Sequence, residues 1–162
     1  MKILPTTCGI ILALVIGDVA VGRDKDKYQQ AAVKQEKKCL IGVWKLVSSE
    51  GEGKKVPEEI LKLEIVRWTI TDSTIVWTVG KDNEGADRYT LDPTTNPKAI
   101  DLTDKDGHHA PGIYALNGDT LKVCIDEGSE ERPKLFATKP DTRLSVWTFK
   151  RERRCTGDVA GR

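Results

Sequence analysis

The segment DKDGHHAPG holds the residue types that most often bind metal ions, with His108 and His109 following Asp104 and Asp106. Adjacent histidines on an extended chain point to opposite sides, so one ion can rarely use both. An EF-hand loop aligned on the two aspartates would have leucine and isoleucine at its first and last ligand positions, and neither side chain binds calcium. We therefore predict a polar connecting loop and no metal site.

Cysteine chemistry is the second possibility. Once Cys8 is set aside as part of an N-terminal leader, Cys39, Cys124 and Cys155 remain, an odd number. In an oxidising compartment, a disulfide between Cys39 and Cys155 would close most of the domain and stabilise it by about 4–5 kcal/mol on the chain-entropy model. The alternative is three unpaired thiols, with Cys124 as a small strand residue that needs no chemistry.

Nucleophilic catalysis finds little support in the sequence. None of four serines has the strand-turn-helix context of a nucleophile elbow: Ser48, Ser49, Ser129 and Ser145. An enzyme would need convergent polar groups inside the fold, and Arg67 and Tyr89 are polar residues that the sequence cannot place there. We expect no catalytic residues, no cofactor and no enzymatic activity.

Arg132 is the one candidate ligand-binding residue. It precedes Pro133, follows the Gly128-Ser129 loop, and has Phe136 close behind it. If this segment folds across the mouth of a barrel, the guanidinium is available to an anionic ligand. The alternative is a structural role, in which Arg132 clamps the loop.

Eight β-like runs must position these residues, at 43–50, 63–71, 74–80, 87–91, 99–103, 112–116, 120–126 and 143–151. In the seventh run Leu121, Val123 and Ile125 share one face, as in a half-buried strand. Asn117-Gly118 is the strongest hairpin signal, because both residues tolerate the positive φ of a tight turn. Asp82-Asn83 with Gly85 is interpreted as another break between strands.

Eight short strands in an open sheet would leave unpaired edges exposed, whereas a sheet that closes on itself has none. The sequence therefore predicts an all-β protein, an eight-stranded antiparallel up-and-down barrel with a short N-terminal helix. In such a barrel the first and last strands are neighbours, which places Trp44 near Arg151 or Arg153 and Cys39 near Cys155. A guanidinium over the indole would gain about 0.5–2 kcal/mol of cation-π energy and plug the barrel floor.

The N-terminus has the features of a secretory leader. Its apolar block is shorter than the ~20 residues of a membrane-spanning helix, and small residues lie where signal peptidase prefers them. We predict a signal peptide over residues 1–22, with an uncleaved anchor as the alternative. Residues 23–38 favour a helical lead-in, residues 39–155 form the barrel domain, and residues 156–162 form a flexible tail.

The charge pattern argues against nucleic-acid binding. The chain has 26 Lys and Arg against 25 Asp and Glu, a net charge of +1, and the two signs are interleaved. Non-specific nucleic-acid binders depend on clustered cations. After leader cleavage we expect no membrane insertion, and we expect a secreted or periplasmic location.

Gly42-x-Trp44 in the first strand, with an arginine at the end of the last, resembles the lipocalin signature. The blocks LIGVWKLVSSEGEGKKVPEEIL, DPTTNPKAIDLT, PGIYALNGDTLKVCID, ERPKLFATKP and FKRE resemble, in that order, an uncharacterised planctomycete lipocalin-like domain family. The resemblance covers about Leu40 to Glu152. It implies a secreted or envelope-associated lipocalin-like domain with no assigned activity.

We expect a binding or interaction domain that holds a small apolar ligand or presents its surface to an envelope protein. Eight strands enclose room for packed side chains or for one small molecule. The four tryptophans could fill that volume, so the alternative is a fully packed barrel that acts through its surface as a scaffold or inhibitor. A lined cavity of several hundred cubic ångströms, about the size of known ligand sites, would favour ligand carriage.

Overall fold

The computed structural model describes residues 18–153, and the side chains of residues 25–152. The elements, in chain order, are α1 (Asp18–Leu40), β1 (Gly42–Gly51), β2 (Lys54–Lys55), α2 (Glu58–Leu63), β3 (Val66–Ile70), β4 (Thr74–Val79), β5 (Asp82–Asp92), β6 (Lys98–Thr103), β7 (His109–Asn117), β8 (Thr120–Asp126) and β9 (Leu144–Arg153). The strands form one antiparallel sheet in the order β2-β1-β3-β4-β5-β6-β7-β8-β9.

The sheet closes because β1 also pairs with β9, antiparallel, with Leu46 opposite Phe149. Eight strands, β1 and β3 to β9, form the closed barrel, and the two-residue β2 only extends the end of β1. The predicted eight-stranded antiparallel barrel with an N-terminal helix is confirmed. Closure leaves no long unpaired edge on these strands.

Inward-facing residues alternate along the strands, as a two-faced sheet requires. In β8 the inward set is Leu121, Val123 and Ile125, each at most 1% exposed. Trp68 and Ile70 face inward from β3, which settles the register of that strand. The core packs these side chains together with Trp44, Ile75, Tyr89, Leu91, Ile100, Leu102, Tyr114 and Phe149.

The two ends of the barrel differ. We call the end at which β1 begins the closed end; the short turns 71–73, 93–97 and 118–119 lie there. Helix α1 docks against it: Lys37 Nζ donates to the Asp72 carbonyl at 2.6 Å, Glu36 pairs with Lys98 at 2.6 Å, and Leu40 is 1% exposed. The opposite end, which we call the open end, is surrounded by α2 and by the connections 80–81, 104–108 and 127–143.

Two sequence interpretations were wrong. The predicted break at Asp82-Asn83 and Gly85 lies inside β5, because the hairpin turns earlier, at Gly80-Lys81, and Val79 pairs directly with Asp82. The predicted second strand began at Leu63, but that residue ends α2, where the Glu64 amide donates to the Ile60 carbonyl at 3.0 Å. In both places local hydrogen bonding decided the boundary.

Residues 127–143, which we call the outer connection, run over the outside of the barrel. Phe136 from this segment packs against Ile113, Cys124 and Val146, which form a second apolar cluster on the outer face of β7, β8 and β9. Cys124 is therefore fully buried, and burial raises the pKa of its thiol, which favours the neutral and less reactive form.

Among the residues that the structure describes, no helix has the length and apolar character needed to span a membrane.

Candidate functional site

Arg151 closes the barrel floor. Its guanidinium carbon lies 4.0 Å from the centroid of the Trp44 ring. The same group donates to the backbone carbonyl of Cys39 and, at 3.0 Å, to that of Ile41, while Nε contacts Asp119 Oδ1 at 2.9 Å. Only 7% of the Arg151 side chain is exposed. The closed end is thus sealed by a buried cation whose hydrogen bonds go mainly to the chain entering β1.

The neighbouring predicted structural residues lie beside this seal. Gly42 is buried and has a φ of 145°, a backbone conformation that residues other than glycine rarely adopt. Trp44 Nε1 donates to the Leu40 carbonyl at 2.7 Å. Arg153 pairs through its backbone with Val43. Cys39 is exposed; Cys155 lies outside the described residues, as do residues 1–17 of the predicted leader, so the disulfide and the signal peptide stay predictions.

Arg132 lies on the outer wall of the barrel. Its Nη1 is 2.7 Å from Asp101 Oδ1 and donates to the carbonyls of Ile100 at 3.1 Å and Gly112 at 2.6 Å. These contacts tie the outer connection to β6 and β7. The geometry is that of the loop clamp, the structural alternative for this residue.

The histidine segment forms a compact turn at the open end. Asp104 Oδ1 accepts the backbone amides of Asp106 and His108, and Asp104 Oδ2 lies 2.7 Å from His108 Nδ1. That hydrogen bond raises the pKa of His108 and lowers the pKa of Asp104. Asp104, Asp106 and His108 bring ligand atoms within 4.8 Å of one another, but Asp104 and His108 are already hydrogen-bonded to each other within the turn. His109 begins β7.

Arg67 and Tyr89, the two polar residues that the sequence could not place, lie apart. Arg67 points outward and pairs with Glu152 at 2.7 Å. Tyr89 faces inward near the closed end, where its hydroxyl donates to the Thr71 carbonyl at 2.8 Å and burial raises its pKa to about 12. The two side chains do not converge on one point.

The barrel interior opens into a cavity of about 370 Å³ at the open end, which we call the mouth cavity. Its walls are aromatic and aliphatic side chains from β1, β3, β4 and β9, among them Leu46, Val66, Trp68, Trp77, Trp147 and Phe149. Leu61 from α2 lies over it and packs against the core. This volume falls within the range of about 300–1,000 Å³ found for small-molecule sites.

Three of the four tryptophans line this cavity instead of filling it. Trp68 lies between two other rings. Its ring centroid is 5.6 Å from that of Trp147, with an interplanar angle of 75°, and 4.5 Å from that of Phe149, with an interplanar angle of 32°. Such edge-on and tilted contacts are the arrangements that aromatic pairs prefer. Trp68, Trp147 and Phe149 therefore form a mutually packed aromatic wall around an open space.

Carboxylates interrupt this apolar wall on one side. Asp87 and Glu127 line both the mouth cavity and an adjoining surface hollow of about 840 Å³, together with Trp77 and Leu102. Asp87 faces inward because it shares strand parity with Tyr89 and Leu91, which lie in the core. Burial, followed by the negative charges of Asp104 and Glu127, raises the pKa of Asp87.

Sequence reasoning did not find this site. Its residues come from separate strands and meet only when the barrel closes, so no local spacing identifies them. One signal was available: an aspartate at the inward parity of a strand, two residues before Tyr89, is a polar residue in a core position.

No protein-family model, curated protein or solved structure matches the chain.

Proposed function

We propose that the protein is a secreted or envelope-associated lipocalin-like binding domain that carries a small apolar ligand in the mouth cavity. The resemblance of its sequence blocks to a lipocalin-like family supports this proposal, as does the eight-stranded closed barrel. The observation that carries it is the mouth cavity itself.

A packed barrel acting only through its surface has no need of a lined interior space. Side chains leave about 370 Å³ of the interior unfilled, and so give up contacts that a fully packed core would make. An apolar ligand entering it would bury its own surface and that of the aromatic wall, at about 25 cal/mol per Å² of apolar area removed from water. Trp68 and Trp147 need little rearrangement for this, because they already pack against neighbouring rings.

Titration with octanol, a neutral molecule with an apolar tail, tests the proposal. Tryptophan fluorescence should change saturably with one binding site, because Trp68, Trp77 and Trp147 line the cavity. Native mass spectrometry of protein purified from its own host should show a bound small molecule and reveal its class.

A matched pair of variants in β4 locates the binding. Val79 lines the cavity, whereas Val76 of the same strand lies on the opposite face. Val79→Phe should weaken octanol binding about tenfold or more by filling the space, and Val76→Phe should leave it unchanged. No saturable binding to the wild-type protein, or equal loss in both folded variants, would contradict the proposal.

A further inference from the structure

We propose that the ligand of the mouth cavity is an organic cation, with an apolar tail among the tryptophans and a positively charged head beside Asp87 and Glu127. This inference rests on the proposed function and adds the charge of the ligand.

The charges around the cavity have one sign. Its ionisable lining residues are Glu64, Asp87 and Glu127, and among the described residues no Lys, Arg or His lines it. The overall charge of the chain is close to neutral, so this local imbalance is not a consequence of composition. An anionic ligand would meet only repulsion from the ionisable groups of this wall.

Asp87 is the central group because it is half-buried and faces the interior. The described residues provide no Lys or Arg in an ion pair with it. Its charged neighbours, Asp104 and Glu127, are also acidic and raise its pKa further. A cation bound here would have an anionic partner that the protein leaves uncompensated.

The adjoining hollow contains basic side chains, but they are set among acids. Arg143, His108 and His109 line the hollow together with Asp104, Glu127 and Glu130. His108 is already hydrogen-bonded to Asp104 at 2.7 Å. Asp87 and Glu127 border both spaces, so a ligand can place its head at this border while its tail enters the barrel.

The aromatic wall suits the same ligand. The face of an indole ring attracts cations by about 0.5–2 kcal/mol, more when water is excluded. Trp77 lines both the mouth cavity and the hollow, so it lies at the same border as the two carboxylates. Cation-π attraction and charge pairing therefore favour the same position for the head group.

Three probes with the same tail test the inference: octyltrimethylammonium, octanol and octanoate, each titrated against tryptophan fluorescence. The quaternary ammonium cannot lose its charge, so any pH dependence of its binding comes from the protein. We expect octyltrimethylammonium to bind about tenfold tighter than octanol, and octanoate to bind weakest. Asp87→Asn and Glu127→Gln should each reduce the preference for the cation while octanol binding is retained.

Glu59→Gln is the matched control, because Glu59 is an exposed acid on α2 at the same end of the barrel and lines neither space. It should leave the preference unchanged. Equal binding of all three probes, or tighter binding of octanoate, would overturn the inference while the apolar-carrier function stands. A preference for the cation that survives in the Asp87→Asn, Glu127→Gln double variant would also overturn it. Failure of all three probes to bind would refute the proposed function itself.

Discussion

Arg151 combines three interactions at one position. Its guanidinium lies over Trp44, donates to the carbonyls of Cys39 and Ile41, and pairs with Asp119, with 7% of the side chain exposed. A lysine keeps the charge but cannot donate in several fixed directions or stack on an indole as a planar group. The planar shape of the side chain, and not only its charge, is what seals the closed end.

Arg151→Lys should therefore destabilise the protein by about 2–3 kcal/mol, since the carbonyls of Cys39 and Ile41 lose donors and the cation-π contact weakens. Urea unfolding followed by tryptophan fluorescence measures the change. Arg88→Lys, on an exposed residue of β5, is the control and should stay within about 0.5 kcal/mol of the wild type. A loss of stability no larger in Arg151→Lys than in Arg88→Lys would show that the seal contributes nothing.

Asp87 presents the opposite case, a residue whose charge opposes folding. Its pKa is raised in the folded state by burial and by Asp104 and Glu127, so folding disfavours the ionised form. This destabilisation is absent below the unfolded pKa of about 3.9 and develops as the pH rises through the folded value. The raised pKa therefore predicts that the ionised Asp87 carboxyl lowers the stability of the fold at neutral pH.

At about pH 7, Asp87→Asn should consequently unfold at a higher urea concentration than the wild type. The gain in the free energy of unfolding should be below about 1 kcal/mol, because the site is partly solvated. At about pH 3, where the wild-type carboxyl is protonated, the two proteins should be equally stable. Glu59→Gln should show no such pH-dependent difference. A variant less stable than the wild type at neutral pH would indicate that Asp87 has a stabilising partner.

At the scale of elements, the outer connection has three side-chain anchors. Phe136 packs on the outer apolar cluster, and Arg132 binds Asp101 and the carbonyls of Ile100 and Gly112. The Thr138 hydroxyl donates to Glu50 Oε1 at 2.8 Å and accepts the Gly53 amide at 2.9 Å. The rest of the segment contains bends and turns without strand pairing. Such a segment opens locally when its few tertiary contacts are removed.

Arg132→Ala should increase amide hydrogen exchange across residues 127–143 and lower global stability by only about 1 kcal/mol, because the barrel hydrogen bonds remain. Hydrogen-exchange mass spectrometry resolves the segment from the strands. Octanol binding should be unchanged, since Arg132 does not line the mouth cavity. Loss of binding with unchanged exchange would instead support a ligand-binding role for Arg132.

Strand identity was largely predictable because alternation is a local property of the sequence. The alternation in β8 correctly predicted that Leu121, Val123 and Ile125 face inward. The hairpin between β7 and β8 was also predicted, but its two turn residues are Gly118 and Asp119, because Asn117 pairs with Thr120 as the last residue of β7. Boundaries were less predictable: Asp82 and Asn83 favour turns, yet pairing with Val79 and Thr78 drew them into β5. The mouth cavity was beyond local reasoning, since Asp87 and Glu127 come together only through the closed sheet.

At the scale of the whole molecule, closure of the sheet brings together the first and last strands of the barrel. One seam, β1 with β9, joins Leu46 to Phe149 across the whole length of the barrel domain. The other strand pairs join neighbours in the chain, and β7 and β8 meet through a two-residue turn. On loop-closure entropy alone, joining ends about 100 residues apart costs about 3 kcal/mol more than closing such a turn.

This difference predicts an order of folding in which the β7–β8 hairpin forms before the seam. Gly118 has φ of 57° and open space around it, so Gly118→Ala should cost about 1 kcal/mol through backbone conformation alone and should mainly slow refolding. Leu46→Ala, at the seam, should cost about 2 kcal/mol and mainly speed unfolding. Stopped-flow chevrons followed by tryptophan fluorescence separate the two rates. If Leu46→Ala slows refolding by its full loss of stability, the seam is already formed in the transition state, and closure comes early instead of last.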